Sequence, residues 1–409
     1  MWWLLILIGL CLGPAVNFAI YQFAYFPRPI SPWQRPAEGT NRSKWSRIPI
    51  IGWLLRRNEA NIFGRFYWVR PFLIELAIPV FLVFLFHHVI AGNLSPIGSV
   101  QQPWSTLFAT FVNISVLVVL LVVATFIDFD ERTIPDLVTV PGTLFALVSS
   151  VVVPSWRLRE LDPAGMLTVP APSREIHGYS PFEWPLALCQ GGDWGLIFGL
   201  LAWSGWCFGL LNRQWITRRG WGKAWGYFWA ILRRDPSTLW IGVMALAGFI
   251  AIGLIYSFAG ALAWESFLSS LMGIALGGSL VWSFRLVAAL VMRREALGFG
   301  DVTLMAMVGA FVGWQDVWIS FFLSPFFALV FVVAFWIFTR DPSTPFGPYL
   351  SMAVIYTVWN WSRLWDVASQ LMLPPELLVA FWTFLLIALA VMLGVIEFVK
   401  MGLASRFDR

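Results

Sequence analysis

Two aspartates stand at the ends of long apolar runs, where a carboxyl is costly unless it has a task or a partner. Asp128 closes one run in Phe126-Ile127-Asp128-Phe129-Asp130-Glu131-Arg132, and Asp301 opens another in Gly298-Phe299-Gly300-Asp301. Two carboxyls held together at such a boundary cannot both ionise cheaply, because burial and like charge each disfavour the second anion. One carboxylate could then draw a proton from water while one carboxylic acid protonates a carbonyl or a leaving amine. That is peptide hydrolysis by paired acids, a chemistry that needs no metal. Gly298 and Gly300 are read as substrate-positioning residues, since a backbone without side chains can take positive φ and lie against an extended strand. Asp301 would also gain from the positive end of its helix dipole.

A plainer role exists for each acid. An Asp at a helix start is more often a cap than a catalyst. Asp130, Glu131 and Asp136 lie close to Asp128 and read as interfacial charges or caps. The residues alone therefore leave the partner of Asp301 open among these acids.

The elements that must position the pair are membrane helices. Of the 409 residues, 59% are hydrophobic and 12% charged, against about a quarter charged in ordinary soluble proteins. The apolar residues gather into runs of roughly 18 to 25, the length a helix needs to cross about 30 Å of hydrocarbon. No series of short alternating segments suggests a β-barrel. The fold expected is an all-α polytopic membrane protein of about 9 to 11 transmembrane helices. Spans are read at roughly 2–21, 71–90, 104–127, 134–154, 191–212, 238–262, 267–291, 302–314, 317–338, 346–360 and 376–398. Small-residue pairs Gly9/Gly13, Gly273/Gly277 and Gly309/Gly313 would let helices approach closely.

Lys and Arg set the orientation. Residues 23–70 carry Arg28, Arg35, Arg42, Lys44, Arg47, Arg56, Arg57, Arg65 and Arg70 against Glu38 and Glu59. Residues 213–236 carry Arg213, Arg218, Arg219, Lys223, Arg233 and Arg234 against Asp235. Both segments are expected in the cytoplasm. The N-terminus then lies outside and the C-terminus inside, which leaves Arg157, Arg159, Arg174 and Arg363 as the external basic residues. Asp128 and Asp301 both fall at the cytoplasmic boundary. The net charge of +5 reads as topology, and no nucleic-acid partner is expected. Two units are expected: residues 1–100, with the first span, the loop domain at 23–70 and the second span, and residues 101–409, with polar inserts at about 155–190 and 213–236.

Cys11, Cys189 and Cys207 stand far apart, without a Cys-x-x-Cys pair or a neighbouring His, so neither a metal site nor a disulfide framework is expected. Arg285 lies inside a span at a cost of about 2.5–3.5 kcal/mol and should face protein or water and pair with an acid. His87 and His88 fall at the external end of the second span. Glu75 is read either as a functional acid of the N-terminal unit or as a solvated helix start.

The motifs and their flanks resemble those of the type IV prepilin leader peptidases. Ile127-Asp128-Phe129-Asp130 through Ile134-Pro135-Asp136 to Val140-Pro141-Gly142 is similar to that family's first aspartate motif, and Arg294 to Leu304 to its Gly-x-Gly-Asp motif. Pro345-Phe346-Gly347-Pro348-Tyr349-Leu350 is similar to a late Pro-Phe-Gly-Pro segment. Gly9 to Tyr21, Ile48 to Leu55 and Pro71 to Leu76 resemble the segments around its cytoplasmic domain.

The resemblance implies Asp128 and Asp301 as the catalytic pair. It also implies removal of the short basic leader of prepilin or pseudopilin precursors after a Gly, at the cytoplasmic face of the bacterial inner membrane. Proteolysis would use no cofactor. N-methylation of the new N-terminus with S-adenosylmethionine is implied as well, but the paired cysteines often found in the loop domain are missing from residues 23–70. A Lys usual two positions after the second acid is Thr303. Partners expected are the precursor peptide and the lipid bilayer, with no oligomeric state implied. Competing readings are a broader membrane protease, an inactive relative serving as a scaffold in a pilus or secretion assembly, and a transporter. The last would need more polar residues at mid-membrane.

Overall fold

The computed structural model describes residues 2–34, 36, 42–56, 59–162, 169–211, 221–293, 297–339, 345–372 and 375–407. The helices are α1 (Trp2–Gln22), α2 (Ile51–Leu55), α3 (Ala60–Phe63), α4 (Val69–Ile90), α5 (Trp104–Glu131), α6 (Asp136–Val152), α7 (Asp193–Leu210), α8 (Trp221–Arg234), α9 (Pro236–Phe258), α10 (Ala261–Met292), α11 (Phe299–Val312), α12 (Trp314–Thr339), α13 (Gly347–Trp359), α14 (Trp361–Leu371) and α15 (Pro375–Phe407). Each span expected from the sequence is a helix. Seven of the described helices are long and apolar enough to cross a membrane: α1, α4, α5, α9, α10, α12 and α15. The protein is an all-α polytopic membrane protein. Arg213, Arg218, Arg219, Arg35, Glu38, Arg57 and Arg294 lie outside the described residues.

The other four expected spans are helices of 13 to 18 residues, and the shortness of α11 has a packing reason. From Asp301 to Val312 each residue of this helix is buried. A helix enclosed by protein on all sides must be apolar all round, and it need not match the bilayer thickness. It is walled by α10, α6, α12 and α13. At the other extreme α9 and α15 present almost their whole surface outward, with Leu246, Leu254, Phe384 and Ile387 exposed, as lipid-facing helices do.

Small residues set the close crossings. A Cβ on Gly273 would fall on the Gly309 carbonyl, one on Gly277 would come within 2.7 Å of the Met305 carbonyl, and one on Gly13 within 2.9 Å of the Glu75 backbone. Gly9 meets Pro79 in the same way. The tight packing expected for these pairs is what α10 with α11 and α1 with α4 display, except at Gly313, which ends α11 at φ 91° and meets only the Gln315 side chain.

The polar insert between α6 and α7 contains a short antiparallel pair, β1 (Arg159–Leu161) and β2 (Ser173–Glu175). Its Gly178 and His177 carbonyls accept from Trp314 Nε1 and Gln315 Nε2, so the insert caps the turn between α11 and α12. Arg159 pairs with Glu175 and Arg174 with Glu160, while the buried Arg157 donates to Ser266. Most of the charge that stood alone in the sequence is thereby partnered within the insert or against α10.

The basic loop at 23–70 is organised by a buried triad. Glu59 takes Arg42 through Nε at 2.9 Å and Arg56 through Nη2 at 2.6 Å. Arg42 also reaches the carbonyls of Pro29, Ser31 and Gln34, and Arg56 that of Ile30. Burial alone would raise the Glu59 carboxyl, but the hydrogen bonds and charges of Arg56 and Arg42 hold it below the usual range. The loop is thus tied by ion pairs at a place where cysteine pairs are absent from the sequence.

Glu75 is no solvated helix start. It is buried, accepts from Asn17 Nδ2 at 3.1 Å and from the backbone N–H of Ile50 at 2.6 Å, and so staples α1, α4 and the loop together.

Candidate active site

Asp128 sits in the last turn of α5. The helix ends because Arg132 turns into the left-handed region at φ 57° and donates its N–H to the Asp128 carbonyl at 2.8 Å. A short connection, Thr133-Ile134-Pro135, then leads straight into α6. Asp301 occupies the first turn of α11, three residues after the N-cap Gly298, with its Oδ2 3.6 Å from the position of a Cβ on Gly298. That is the place of the reach-back acid in a capping box. It does not account for the rest of the geometry.

Both acids are buried, Asp128 at 4% exposure and Asp301 at 7%. The charge of Asp128 acts on Asp301 across the gap between α5 and α11. The neighbouring acids are turned elsewhere. Asp130 receives both guanidinium nitrogens of Arg70, at 2.7 and 2.9 Å, and Glu131 receives the backbone N–H groups of Tyr25 and Phe26 at 2.8 and 2.9 Å. Asp136 is exposed, and its charge, with that of Glu131 and behind burial itself, pushes the Tyr25 phenol up. Among the acids left open by the sequence, Asp128 is the one brought to Asp301.

Three sequence motifs converge on Ile134. A Cβ on Gly300 would lie 2.9 Å from Ile134 Cβ and 3.0 Å from its backbone N and O, and one on Gly347 would lie 2.9 Å from Ile134 Cδ1 and 2.5 Å from Asp128 Oδ2. Gly347 donates its N–H to that same oxygen at 3.1 Å.

This corrects the reason given for the glycines. Neither Gly298 nor Gly300 has positive φ: Gly298 is at −67° with ψ 152°, and Gly300 is already helical. Gly300 is small because another backbone touches it, and Gly298 meets only the Asp301 carboxylate at 3.6 Å. Gly347 and Ile134 were missed as parts of the site. The available signal was the Pro-Phe-Gly-Pro segment itself, since a Gly placed before a helix-starting Pro serves close approach better than helix formation.

The two carboxyls are covered, with the start of α13 against Asp128. His87 and His88 lie far from the pair, at the opposite end of α4 from the Arg70 that holds Asp130. His88 stacks on Trp359 and reaches its carbonyl at 2.9 Å. Asp316, not singled out in the sequence, is fully buried at the start of α12 with Ser320 Oγ donating to it. It lies beyond the far end of α11 from Asp301. Thr303 takes no part in charge and donates to the Gly300 carbonyl at 3.1 Å.

Comparison with known proteins bears out the family resemblance. Residues 227–333 match the family model described as the type IV leader peptidase family, a stretch that contains α10, α11 and Asp301 but not Asp128. The prepilin leader peptidase/N-methyltransferase of Aeromonas salmonicida is 28% identical over 120 residues, covering 28% of this chain and 36% of the relative. That of Pseudomonas aeruginosa is 36% identical over 87 residues, covering 20% and 30%. That of Neisseria gonorrhoeae is 26% identical over 178 residues, covering 42% and 58%. The chain thus spans about a third of the length of the first curated relatives it matches. No solved structure matches.

Proposed function

We propose that this chain is a membrane-embedded aspartic endopeptidase that removes the short basic leader of prepilin or pseudopilin precursors, with Asp128 and Asp301 as its catalytic pair. The observation that carries the reading is the burial of both carboxyls at the ends of two apolar helices, near enough for the charge of Asp128 to act on Asp301, while Asp130 and Glu131 are engaged elsewhere.

In this mechanism the pair holds one proton. The ionised carboxyl takes a proton from a water molecule as its oxygen attacks the peptide carbonyl, and the protonated carboxyl gives its proton to the carbonyl oxygen. Collapse of the tetrahedral intermediate breaks the C–N bond, and a proton passes to the leaving amine. The products are the leader's new carboxyl end and the mature chain's new amine, with one water consumed. The basic loop at 23–70 and the Lys and Arg at 223–234 favour the cytoplasmic face of an inner membrane for this end of the bundle. Peptide entry requires the start of α13 to part from Asp128, because the Gly347 N–H occupies one carboxylate oxygen in the closed form.

The test is cleavage of a tagged prepilin-type substrate in membranes, followed by N-terminal sequencing, for the parent and for Asp128→Asn and Asp301→Asn. Cutting after the leader Gly by the parent, with both variants inserted but inactive, is the expected result. Cleavage surviving either substitution would overturn the two-carboxyl mechanism. An uncut substrate in each case would favour a scaffold role.

A further inference from the structure

Arg285 is an intramembrane cation whose contacts explain its position. It lies on α10, about two turns before that helix ends, inside a segment apolar enough to cross a membrane. A charge there is retained only against a cost. Its Nε donates to the Leu297 carbonyl at 3.0 Å, and its guanidinium lies 5.8 Å from the centre of the Phe299 ring.

The Leu297 carbonyl and the Gly298 N–H are the two ends of one peptide group. The Gly298 end of that group lies beside the Asp301 carboxylate, whose Oδ2 is 3.6 Å from the position of a Cβ on Gly298. In a planar trans peptide these ends point in opposite directions, so fixing the carbonyl aims the N–H. A cation on the carbonyl also polarises the group and strengthens the donor. On its other side the turn is fixed by Gly300 against Ile134, and the Phe299 ring lies 3.8 Å from the position of a Cβ on Gly209 of α7. Arg285 therefore grips the one side of the Gly-x-Gly-Asp turn that faces α10.

We propose that Arg285 is the positioning residue of the Asp301 carboxyl, acting through the Leu297–Gly298 peptide group. It touches neither substrate nor the reacting atoms. The proposal rests on the aspartic-peptidase reading for its consequence, although its geometry can be tested separately.

Arg285→Met separates this role from a merely structural one. Rates are normalised to inserted, folded protein, because removing the guanidinium leaves the Leu297 carbonyl without that donor. The expected result is a fall in kcat of tenfold or more at nearly unchanged KM for the prepilin-type substrate, with Arg285→Lys between Met and the parent. A Met variant as active as the parent overturns the proposal.

A second readout needs no activity. In a chain with Cys11, Cys189 and Cys207 replaced by Ser, Leu297→Cys should react with a water-soluble maleimide several-fold faster when Arg285 is Met than when it is Arg. Equal rates overturn the positioning role even if the parent cleaves nothing. Faster labelling with no cleavage by the parent would uphold the geometry and discard the peptidase reading instead.

Discussion

Gly347 donates its backbone N–H to Asp128 Oδ2 across 3.1 Å, joining residues 219 positions apart. Any side chain at 347 would enter the space of that carboxylate, with its Cβ 2.5 Å from the oxygen. Gly347→Ala is expected to lower cleavage of a prepilin-type substrate about tenfold or more, or ~1.4 kcal/mol in the barrier, while the protein still inserts. Initial rates normalised to folded protein check this, and a rate within twofold of the parent would mean that α13 has already left Asp128 in the working state.

The two glycines before Asp301 should behave differently. Gly300→Ala pushes a methyl into the Ile134 backbone at 3.0 Å, an overpacking worth roughly 1–3 kcal/mol, and should cost activity and thermal stability together. Gly298→Ala meets nothing closer than 3.6 Å and keeps a φ open to any residue. Its activity should stay within about threefold of the parent, because substitutions clear of buried contacts usually cost about 0.5 kcal/mol or less. Side-by-side melting curves and cleavage rates for the two variants decide it.

Glu59 holds two buried arginines, so Glu59→Ala strands both. Breaking such a pair typically costs about 3–5 kcal/mol. Limited trypsin digestion should then nick the loop at 42 or 56 in the variant while the parent resists. The parent has its own acid sensitivity here. Because the folded Glu59 carboxyl is held below its ordinary value of 4.5, its contribution is complete above that value and is lost as the pH falls beneath it. Digestion across a pH series should show the parent's loop opening on the acid side only.

His177 makes the opposite kind of statement about the insert. Burial first, then the charges of Arg174 and Arg157, push it down to about 3 from 6.5, so the folded insert keeps it neutral while the unfolded chain protonates. Between those values the unfolded state binds more protons, and stability falls as the pH falls. His177→Gln should remove that penalty. Relative to the parent it is expected to gain about 2–3 kcal/mol between pH 7 and pH 4.5, read from thermal unfolding at both. A constant difference between the two proteins would show that the imidazole is free to protonate in place.

Much of this protein was legible along the chain because a bilayer leaves a sequence few choices. Runs such as 104–127 and 376–398 must be helices, since lipid cannot satisfy an open backbone, and Gly273, Gly277 and Gly309 lie at the close crossing that their small size allows. Asp128 and Asp301 stood out because ionisable groups at the ends of apolar runs are rare. Only the tertiary structure could decide which acid meets Asp301, since Asp128, Asp130 and Glu131 share one helix end and differ by rotation about its axis: the turn of α5 sends Asp128 inward and Asp130 to Arg70. The same holds for Gly300 and Gly347, whose smallness answers to Ile134 and Asp128 on other segments. Hydrophobic length is a local property and can be read locally, whereas the approach of two backbones depends on both partners.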